Sequence, residues 1–319
     1  MNAMKRAGRI VLIGILMQSA LIVCLQAGEE ASVTSNSVKV VRKALGGGRW
    51  FPAGARQLDA IVKSYMDEAT VPSVTGRIVG AISPHAGYQY SGKVAGHTFR
   101  ALRDQAKAGL APRTVVILGF SHRGGFAGTA LMDGDAIETP LGETPLDKAS
   151  ADFLCRHCTR VAMRYAPHAG EHSAENQIPF VQAALPGVPL VVGLIGDHDP
   201  AGIAELVDGL AALAKERAIL VVASTDLLHD PDYTKVTETD RVTMQQIAAM
   251  DCKGLNKRWG YDMQVCCGIG PVLTVLQFAQ RQGCKAGTVL RYRNSGDDFP
   301  ESRGNWVVGY GAAVFCVGE

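Results

Sequence analysis

The chain has 319 residues, of which 47% are hydrophobic and 19% are charged, and its formal net charge is +2. This composition is typical of a globular protein and excludes a chain that is disordered throughout. Because the charges nearly balance, the sequence lacks the excess of basic residues that nucleic-acid binding requires, and we expect no nucleic-acid partner. The length is sufficient for one large domain with an extensive core.

Residues 1–27 have the pattern of an export signal. Lys5, Arg6 and Arg9 precede apolar runs, and the small residue Ala27 offers a cleavage position. These three basic residues are the only charged side chains of the segment, so the slight basicity of the chain is a targeting property. We therefore predict a cleaved signal peptide and a periplasmic or extracellular protein.

The alternative for this segment is an N-terminal membrane anchor. Residues 10–25 are apolar apart from a short polar interruption, and without cleavage they would hold the protein at a membrane, although they are short for a span. Residues 28–41 are mostly polar or small, which indicates a flexible lead-in. No repeat or low-complexity linker follows, so we predict one domain over residues 42–319.

Within this domain, short apolar runs alternate with longer segments of helical periodicity. The apolar runs end in small or polar residues, which is typical of strands that are covered on both faces. We predict strands at 77–83, 114–119, 190–195, 218–224, 288–294 and 307–317. We predict helices at 57–69, 93–108, 147–158, 174–184, 203–215, 236–250 and 270–282. The alternation predicts a single α/β domain with a central, mainly parallel or mixed sheet flanked by helices.

Three of the predicted strands are each followed by a histidine. His85 follows the first strand, His122 follows the second, and Asp226 and His229 follow the strand at 218–224. Ligands of such sheets bind at the carboxyl ends of the strands, so we expect these side chains to surround one pocket. One histidine in such a position is usually a hydrogen-bonded loop residue, but three at equivalent positions favour a common site.

The residue types at this site indicate a metal. Two histidines and one anionic residue form the minimal site for a catalytic divalent metal with open positions. Asp226 and Cys267 are both candidates for the anion. Cys267 lies in a glycine-rich turn before a predicted helix, whose N-terminus is expected to lower the pKa of the thiol. His172 and Glu175 either line the pocket or, with His172 or Ser173 as the cap, simply begin a helix.

The other motifs that we searched for indicate no specific function. The sequence contains no GxSxG, no GxxxxGK[ST], and no GxGxxG after the first strand, which argues against an α/β-hydrolase and against nucleotide binding through those loops. Cys155 and Cys158 have CxxC spacing, which is compatible with simple burial, a disulfide or a metal site. Four further histidines have no comparable setting, and we interpret them as structural or surface residues: His97, His157, His168 and His198.

From about residue 42 to its C-terminus, the sequence resembles the Memo-like family (mediator of cell motility and its prokaryotic homologues, AmmeMemoRadiSam system protein B). The resemblance rests on an opening segment and five ordered motifs: Arg49-Trp50-Phe51-Pro52, Ser83-Pro84-His85-Ala86-Gly87-Tyr88-Gln89-Tyr90-Ser91-Gly92, Leu118-Gly119-Phe120-Ser121-His122, Glu171-His172-Ser173-Ala174-Glu175, Ser224-Thr225-Asp226 with His229, and Cys267-Gly268. It implies the fold of the class III extradiol dioxygenases, which use non-haem iron.

The resemblance also implies roles for individual residues. His85, His122 and Cys267 fall on the metal-ligand positions. Asp226 and His229 fall on other pocket positions and are the candidates for catalytic residues, with His229 at the place of an acid–base histidine. Four further residues of the motifs are candidates for the substrate pocket or for contacts that support the ligands: Tyr88, Ser121, His172 and Glu175.

The chain differs from the dioxygenases and from some family members. A cysteine replaces the dioxygenase glutamate, which makes the site more receptive to copper as well as iron and argues against ring cleavage. Gly46 and Gln177 stand where some members carry histidine, and we interpret both changes as losses of titratable groups at the pocket rim.

We therefore expect a metal-binding protein that acts as an iron- or copper-dependent oxidoreductase. The alternatives are a non-catalytic metal-binding protein of the periplasm and a scaffold that binds a small molecule or peptide without metal.

Overall fold

A mixed sheet of nine strands forms the centre of the structure, a computed structural model that describes residues 38–318. The strands of the whole described chain are β1 (Val41–Lys43), β2 (Arg77–Ser83), β3 (Thr114–Phe120), β4 (Thr129–Leu131), β5 (Ala136–Thr139), β6 (Gly142–Pro145), β7 (Val161–Met163), β8 (Leu190–Ile195), β9 (Ile219–Ser224), β10 (His229–Asp230), β11 (Gly287–Asn294) and β12 (Val307–Val317). The predicted signal peptide at residues 1–27 and the lead-in up to residue 37 lie outside the described residues.

Four adjacent parallel strands, β2, β9, β3 and β8, carry the middle of the sheet. All four were predicted as buried strands, and nearly every residue in them is buried because helices cover both faces. The edges make the sheet mixed: β12 is antiparallel to β2, β11 and β10 are antiparallel to β12, and β4 is antiparallel to β8. The predicted α/β class is confirmed.

The helices are α1 (Ala55–Glu68), α2 (Tyr88–Lys107), α3 (Lys148–His157), α4 (Ile178–Ala184), α5 (Pro200–Glu216), α6 (Tyr233–Ala248), α7 (Cys252–Arg258), α8 (Ile269–Arg281) and α9 (Ser295–Asp298). Helix α2 begins five residues before its predicted start, and a 3₁₀ turn precedes α4 in the segment predicted as one helix. The sequence analysis missed α7, α9 and the short strands β1, β4–β7 and β10, because such brief elements show no clear periodicity.

Alternating side chains of the central strands build two separate apolar layers. In β3, Val115 and Ile117 pack with α1, α2 and α4, whereas Val116 and Leu118 pack with α3, α5 and α8. This period of two places helices on both faces and leaves only the strand ends accessible. The C-terminal ends of β2, β9 and β3 therefore lie side by side, with Ser83 paired to Ser224.

A second sheet of β1, β5 and β6 joins the end of the predicted lead-in to the domain. Val41 begins β1, and the carbonyl of Val40 accepts hydrogen bonds from the N–H groups of Asp135 and Ala136. These last lead-in residues are thus paired backbone, in contrast to the flexible segment that we predicted up to residue 41.

Cys155 and Cys158 are free thiols in the structure, and the Cys158 thiol donates to the carbonyl of Glu205 at 3.4 Å.

Among the described residues, no helix is long and apolar enough to cross a membrane.

The central strands predict a sharp contrast between two leucines. Leu118→Ala in β3 is expected to lower the free energy of unfolding by about 3 kcal/mol, because its side chain is fully buried between packed layers. The matched change Leu110→Ala removes a side chain that is 41% exposed and should cost less than about 0.5 kcal/mol. Urea denaturation of both variants measures the difference, and equal losses would contradict this assignment of the core.

Candidate metal centre

Three donor side chains meet at the ends of the parallel strands. His85 follows β2, His122 follows β3, and Cys267 lies just before α8; one ligand atom from each lies within 4.8 Å of the others. The carboxyl ends of β2 and β3 flank that of β9, so the two histidines approach from either side of the segment after Ser224. The structure therefore brings together the three residues that the sequence pointed to as metal ligands.

His85 is held by the hydroxyl of Ser224. That hydroxyl donates its single proton to the carbonyl of Ser173. Towards His85 it can therefore only accept, and the Nδ1–H group of the ring donates to it across 3.2 Å. Nδ1 of His85 therefore carries the ring proton, and the lone pair of Nε2 faces the sulfur of Cys267 at 3.2 Å. Burial, followed by the neighbouring histidines, lowers the pKa of His85 well below its ordinary value, so the ring is a neutral ligand.

His122 is held by the buried carboxylate of Glu171. Nδ1 of His122 lies 3.0 Å from one carboxylate oxygen, and the backbone N–H of His122 donates to the other at 2.7 Å. The carboxylate fixes the proton on Nδ1 and leaves Nε2 free for a metal, which is how carboxylates support metal-binding histidines in general. Burial alone would raise the pKa of Glu171, but the His122 ring and the N–H groups of Ser173 and His122 outweigh it and lower that pKa to about 2.

Cys267 is buried, and its sulfur accepts a hydrogen bond from the N–H of Asp226 at 3.3 Å. The expectation of a lowered thiol pKa is wrong, because burial and the neighbouring Asp226 raise the pKa of Cys267 well above its ordinary value. Helix α8 starts two residues later, and its N-terminus does not offset the loss of solvent. The Cys267 thiol is therefore neutral by itself and needs a cation beside it to ionise.

Asp226 is the other predicted candidate for the anion, and it is engaged elsewhere. Its carboxylate accepts from the N–H groups of His85 and Ala86 at 2.8 and 3.2 Å. Burial raises the pKa of Asp226 to about 7 despite these bonds. Asp226 does not belong to the three-donor group, and its contacts fix the turn that carries His85.

His229, the third strand-end histidine, also lies outside the three-donor group. It lines the same cavity, and its Nε2 atom is buried with no hydrogen-bond partner among the described residues. Burial, with a contribution from His122, lowers the pKa of His229 to about 4, so the ring is neutral at physiological pH. A neutral imidazole with a free nitrogen is suited to accept a proton.

A cavity of about 810 Å³ lies in front of the cluster. Several aromatic side chains line it: Trp50, Phe51, Tyr88, Tyr90, Phe299, Trp306 and Tyr310. Tyr88 thus lines the pocket as predicted from its motif, and its hydroxyl donates to the carbonyl of Asn176 at 2.7 Å. Ser121 does not line it, because its hydroxyl turns to the carbonyl of Gly124 in its own loop.

His172 and Glu175 do different things, and neither they nor Ser173 cap a helix. The ring of His172 lines the cavity and stacks on Trp50 with centroids 3.8 Å apart. Glu175 is buried behind the wall, where it accepts from the N–H of Gly46, and burial raises its pKa to about 7. The Ser173 hydroxyl instead bonds the backbone of Phe120 at the end of β3.

Two interpretations of the sequence need correction. Gln177 is buried, and its amide donates to the carbonyl of Pro84 and to the hydroxyl of Ser224. Gly46 packs against the ring of Phe51. Neither position lies at the pocket rim. A Cβ atom at Gly46 would lie 2.6 Å from the Phe51 ring, so the close approach of that ring leaves no room for a side chain unless the ring moves.

Sequence reasoning missed Glu171 and Ser224 as supports of the two histidines. Both stand in the motifs, Glu171 directly before His172 and Ser224 as the last residue of a strand. A carboxylate next to a candidate ligand is a usable hint. The role of Ser224 depends on strand register and cannot be derived from its own segment.

Comparisons with known proteins agree with these features. A family model described as Memo-like protein matches residues 42–314. A MEMO1 family protein of Methanopyrus kandleri is 32% identical over 287 residues, which cover 84% of this chain and 96% of that protein. A MEMO1 family protein of Methanocaldococcus jannaschii is 34% identical over 246 residues, which cover 74% of this chain and 83% of that protein. The chain belongs to the Memo-like family, as its motifs predicted.

Among solved structures, an uncharacterized protein of Escherichia coli K12 matches with a TM-score of 0.47 and 16% sequence identity. The match covers 76% of this chain and all of that protein.

Glu171 makes the stability of the folded protein depend on pH in the acidic range. Its pKa is depressed from 4.5 to about 2, so its contribution is complete above pH 4.5 and disappears as the pH falls towards 2. The stability advantage of the metal-free wild type over Glu171→Gln should therefore shrink by about 2 kcal/mol between pH 5 and pH 3.

Chemical denaturation at several pH values measures this advantage. Glu301→Gln, at an exposed position, is the matched control and should give a much smaller change. An advantage over Glu171→Gln that stays constant down to pH 3 would contradict the assigned role of the carboxylate.

Proposed function

We propose that this protein binds one iron or copper ion through His85, His122 and Cys267 and acts as a metal-dependent oxidoreductase. The observation that carries the proposal is the convergence of these three donors within 4.8 Å, two of which, His85 and His122, also line a large cavity. Two imidazoles and one thiol are a donor set suited to either metal, and the thiol favours copper more than a carboxylate would.

The donors fit a metal in their hydrogen bonding as well as in their position. Ser224 and Glu171 hold the Nδ1 protons of the two histidines, so both Nε2 lone pairs are available. The Cys267 thiol faces one of them at 3.2 Å and can ionise once a cation offsets the cost of burial. A bound iron or copper ion would supply the electron-transfer and oxygen chemistry that side chains do not provide.

The aromatic cavity supports a small organic substrate. Its charged lining residues are Arg49 and the buried Asp226, so most of the recognition surface is uncharged. Flat rings such as Trp50, which already stacks on His172, favour a planar ligand or a peptide side chain of the same kind. His85 and His122 line this cavity, so an occupant would lie against the metal ligands.

His229 is placed to move a proton for such a substrate. It borders the cavity, it is neutral, and its Nε2 has no partner among the described residues. We assign it the role of general base, with Asp226 acting by holding the backbone that carries His85.

A non-catalytic metal-binding function is the second candidate. The buried thiol ligand favours it, because a Cys267 thiolate would hold a soft ion tightly. This function shares the ligands but needs neither the cavity nor His229.

We also propose that residues 1–27 direct export to the periplasm or the cell exterior. Fractionation of native cells tests this proposal through the location of the protein and through its N-terminal residue.

Removal of a ligand tests metal binding directly. His85→Ala is expected to weaken the affinity for iron or copper about 100-fold or more, because one donor is lost and the buried Cys267 loses its neighbour. Metal analysis after dialysis and spectroscopic titration measure the loss. His157→Ala, at an exposed position on α3, is the control and should keep the wild-type metal content. Unchanged binding by the His85 variant would overturn the assignment of the site.

Removal of the proposed base separates catalysis from metal binding. His229→Gln should keep the bound metal, since His229 is outside the donor group, but should lower turnover roughly 100-fold. Oxygen uptake with a panel of catechol-like aromatic compounds measures turnover, and metal analysis of the same samples provides the control. Metal-loaded wild type without turnover on the panel would favour the non-catalytic function.

A further inference from the structure

A second cavity, of about 300 Å³, reaches the candidate metal centre from another side. Cys267 lines this small cavity and is absent from the lining of the large one, whereas His85 and His122 line only the large one. His229 and Trp306 border both. The three metal ligands are therefore approached through two different openings.

We propose that the small cavity is the route by which a soft metal cation, Cu(I) in particular, reaches Cys267. This inference rests on the proposed metal-binding function and adds the path that the ion takes. The large cavity is then left to the organic ligand, and a bound ligand there does not block the metal.

The side chains of the small cavity offer a series of suitable donors. Asp262 and Met263 lie at its exposed end, and Met263 is 47% exposed, so its thioether is open to solvent. His229 and Cys267 lie at its inner end. Thioether, imidazole and thiolate groups are the ligands that Cu(I) prefers. Among residues 38–318, none that lines the large cavity carries a thioether or a thiol.

Charge also distinguishes the two openings. The small cavity is lined by Asp230, Lys235 and Asp262, and Lys235 is paired with Asp230, which leaves Asp262 as the excess negative charge. At the large cavity, Arg49 is exposed, whereas Asp226 is buried and bound to backbone N–H groups. The charged residues of the two linings therefore favour a cation at the small opening and oppose it at the large one.

The segment before Cys267 gives this path a defined wall. Gly260 and Met263 pair across a turn, and the indole N–H of Trp259 donates to the carbonyl of Cys266 at 3.0 Å. Met263 therefore lies on the anchored segment that leads to Cys267, four residues further along the chain.

Copper transfer kinetics test the route. The full chain, stripped of metal, is mixed without oxygen with the coloured complex of Cu(I) and bicinchoninate, and the loss of colour gives the uptake rate. Met263→Leu and Asp262→Asn should slow uptake roughly fivefold to tenfold, because they remove a transit ligand and the attracting charge. Lys235→Gln should speed uptake, since it frees the Asp230 carboxylate. Arg49→Gln, at the large opening, is the control and should leave the rate unchanged.

The amount of copper bound at the end of each reaction separates this inference from the proposed function. We expect the same final copper content per chain in wild type and all four variants, because none of the changed residues is one of the three ligands that hold the metal at the end of the path. Faster uptake by Arg49→Gln, with normal rates for the other three variants, would assign entrance to the large cavity and overturn the route. Normal rates in all four variants would also overturn it. If wild type itself binds no copper, the copper assignment fails together with the route.

Discussion

The candidate site depends on one buried hydroxyl, that of Ser224. It donates to the carbonyl of Ser173 and accepts from the ring of His85 and from the amide of Gln177, so it joins three segments that are distant in sequence. A buried hydroxyl with all its partners in place fixes geometry more firmly than apolar packing alone, since leaving any partner unpaired costs about 1–3 kcal/mol. The Ser224 hydroxyl thus connects the ends of β2 and β9 with the segment before α4. These contacts keep the His85 ring in the tautomer that a metal requires.

The electrostatics of the pocket complement a metal cation. Burial keeps His85, His172 and His229 neutral and keeps the thiol of Cys267 protonated, while N–H donors hold Glu171 ionised. A cation that displaces the thiol proton would find the Cys267 thiolate as ligand and the Glu171 carboxylate behind His122. The cation and these negative groups then lie side by side, which lowers the cost of burying each of them.

The sequence predicted what local patterns determine. Continuous apolar runs identify the central strands, and their order along the chain places His85 and His122 at one sheet edge. The ionisation of Cys267 was predicted wrongly, because proximity to a helix start is visible in sequence whereas depth of burial is not. The supporting role of Ser224 and the buried position of Gln177 depend on register between strands and on packing, which no single segment specifies.

Burial also protects the Cys267 thiol from oxidation. Oxidation proceeds through the exposed thiolate, and both exposure and ionisation are suppressed here because the residue is 6% exposed and burial raises its pKa. The adjacent Cys266 is fully buried as well, and burial raises its pKa to about 12. A cysteine ligand protected in this way is compatible with the oxidising compartment that the proposed export implies. Burial thus keeps oxidants away from the sulfur. A soft cation can still bind there, because it replaces the thiol proton and offsets the charge of the thiolate.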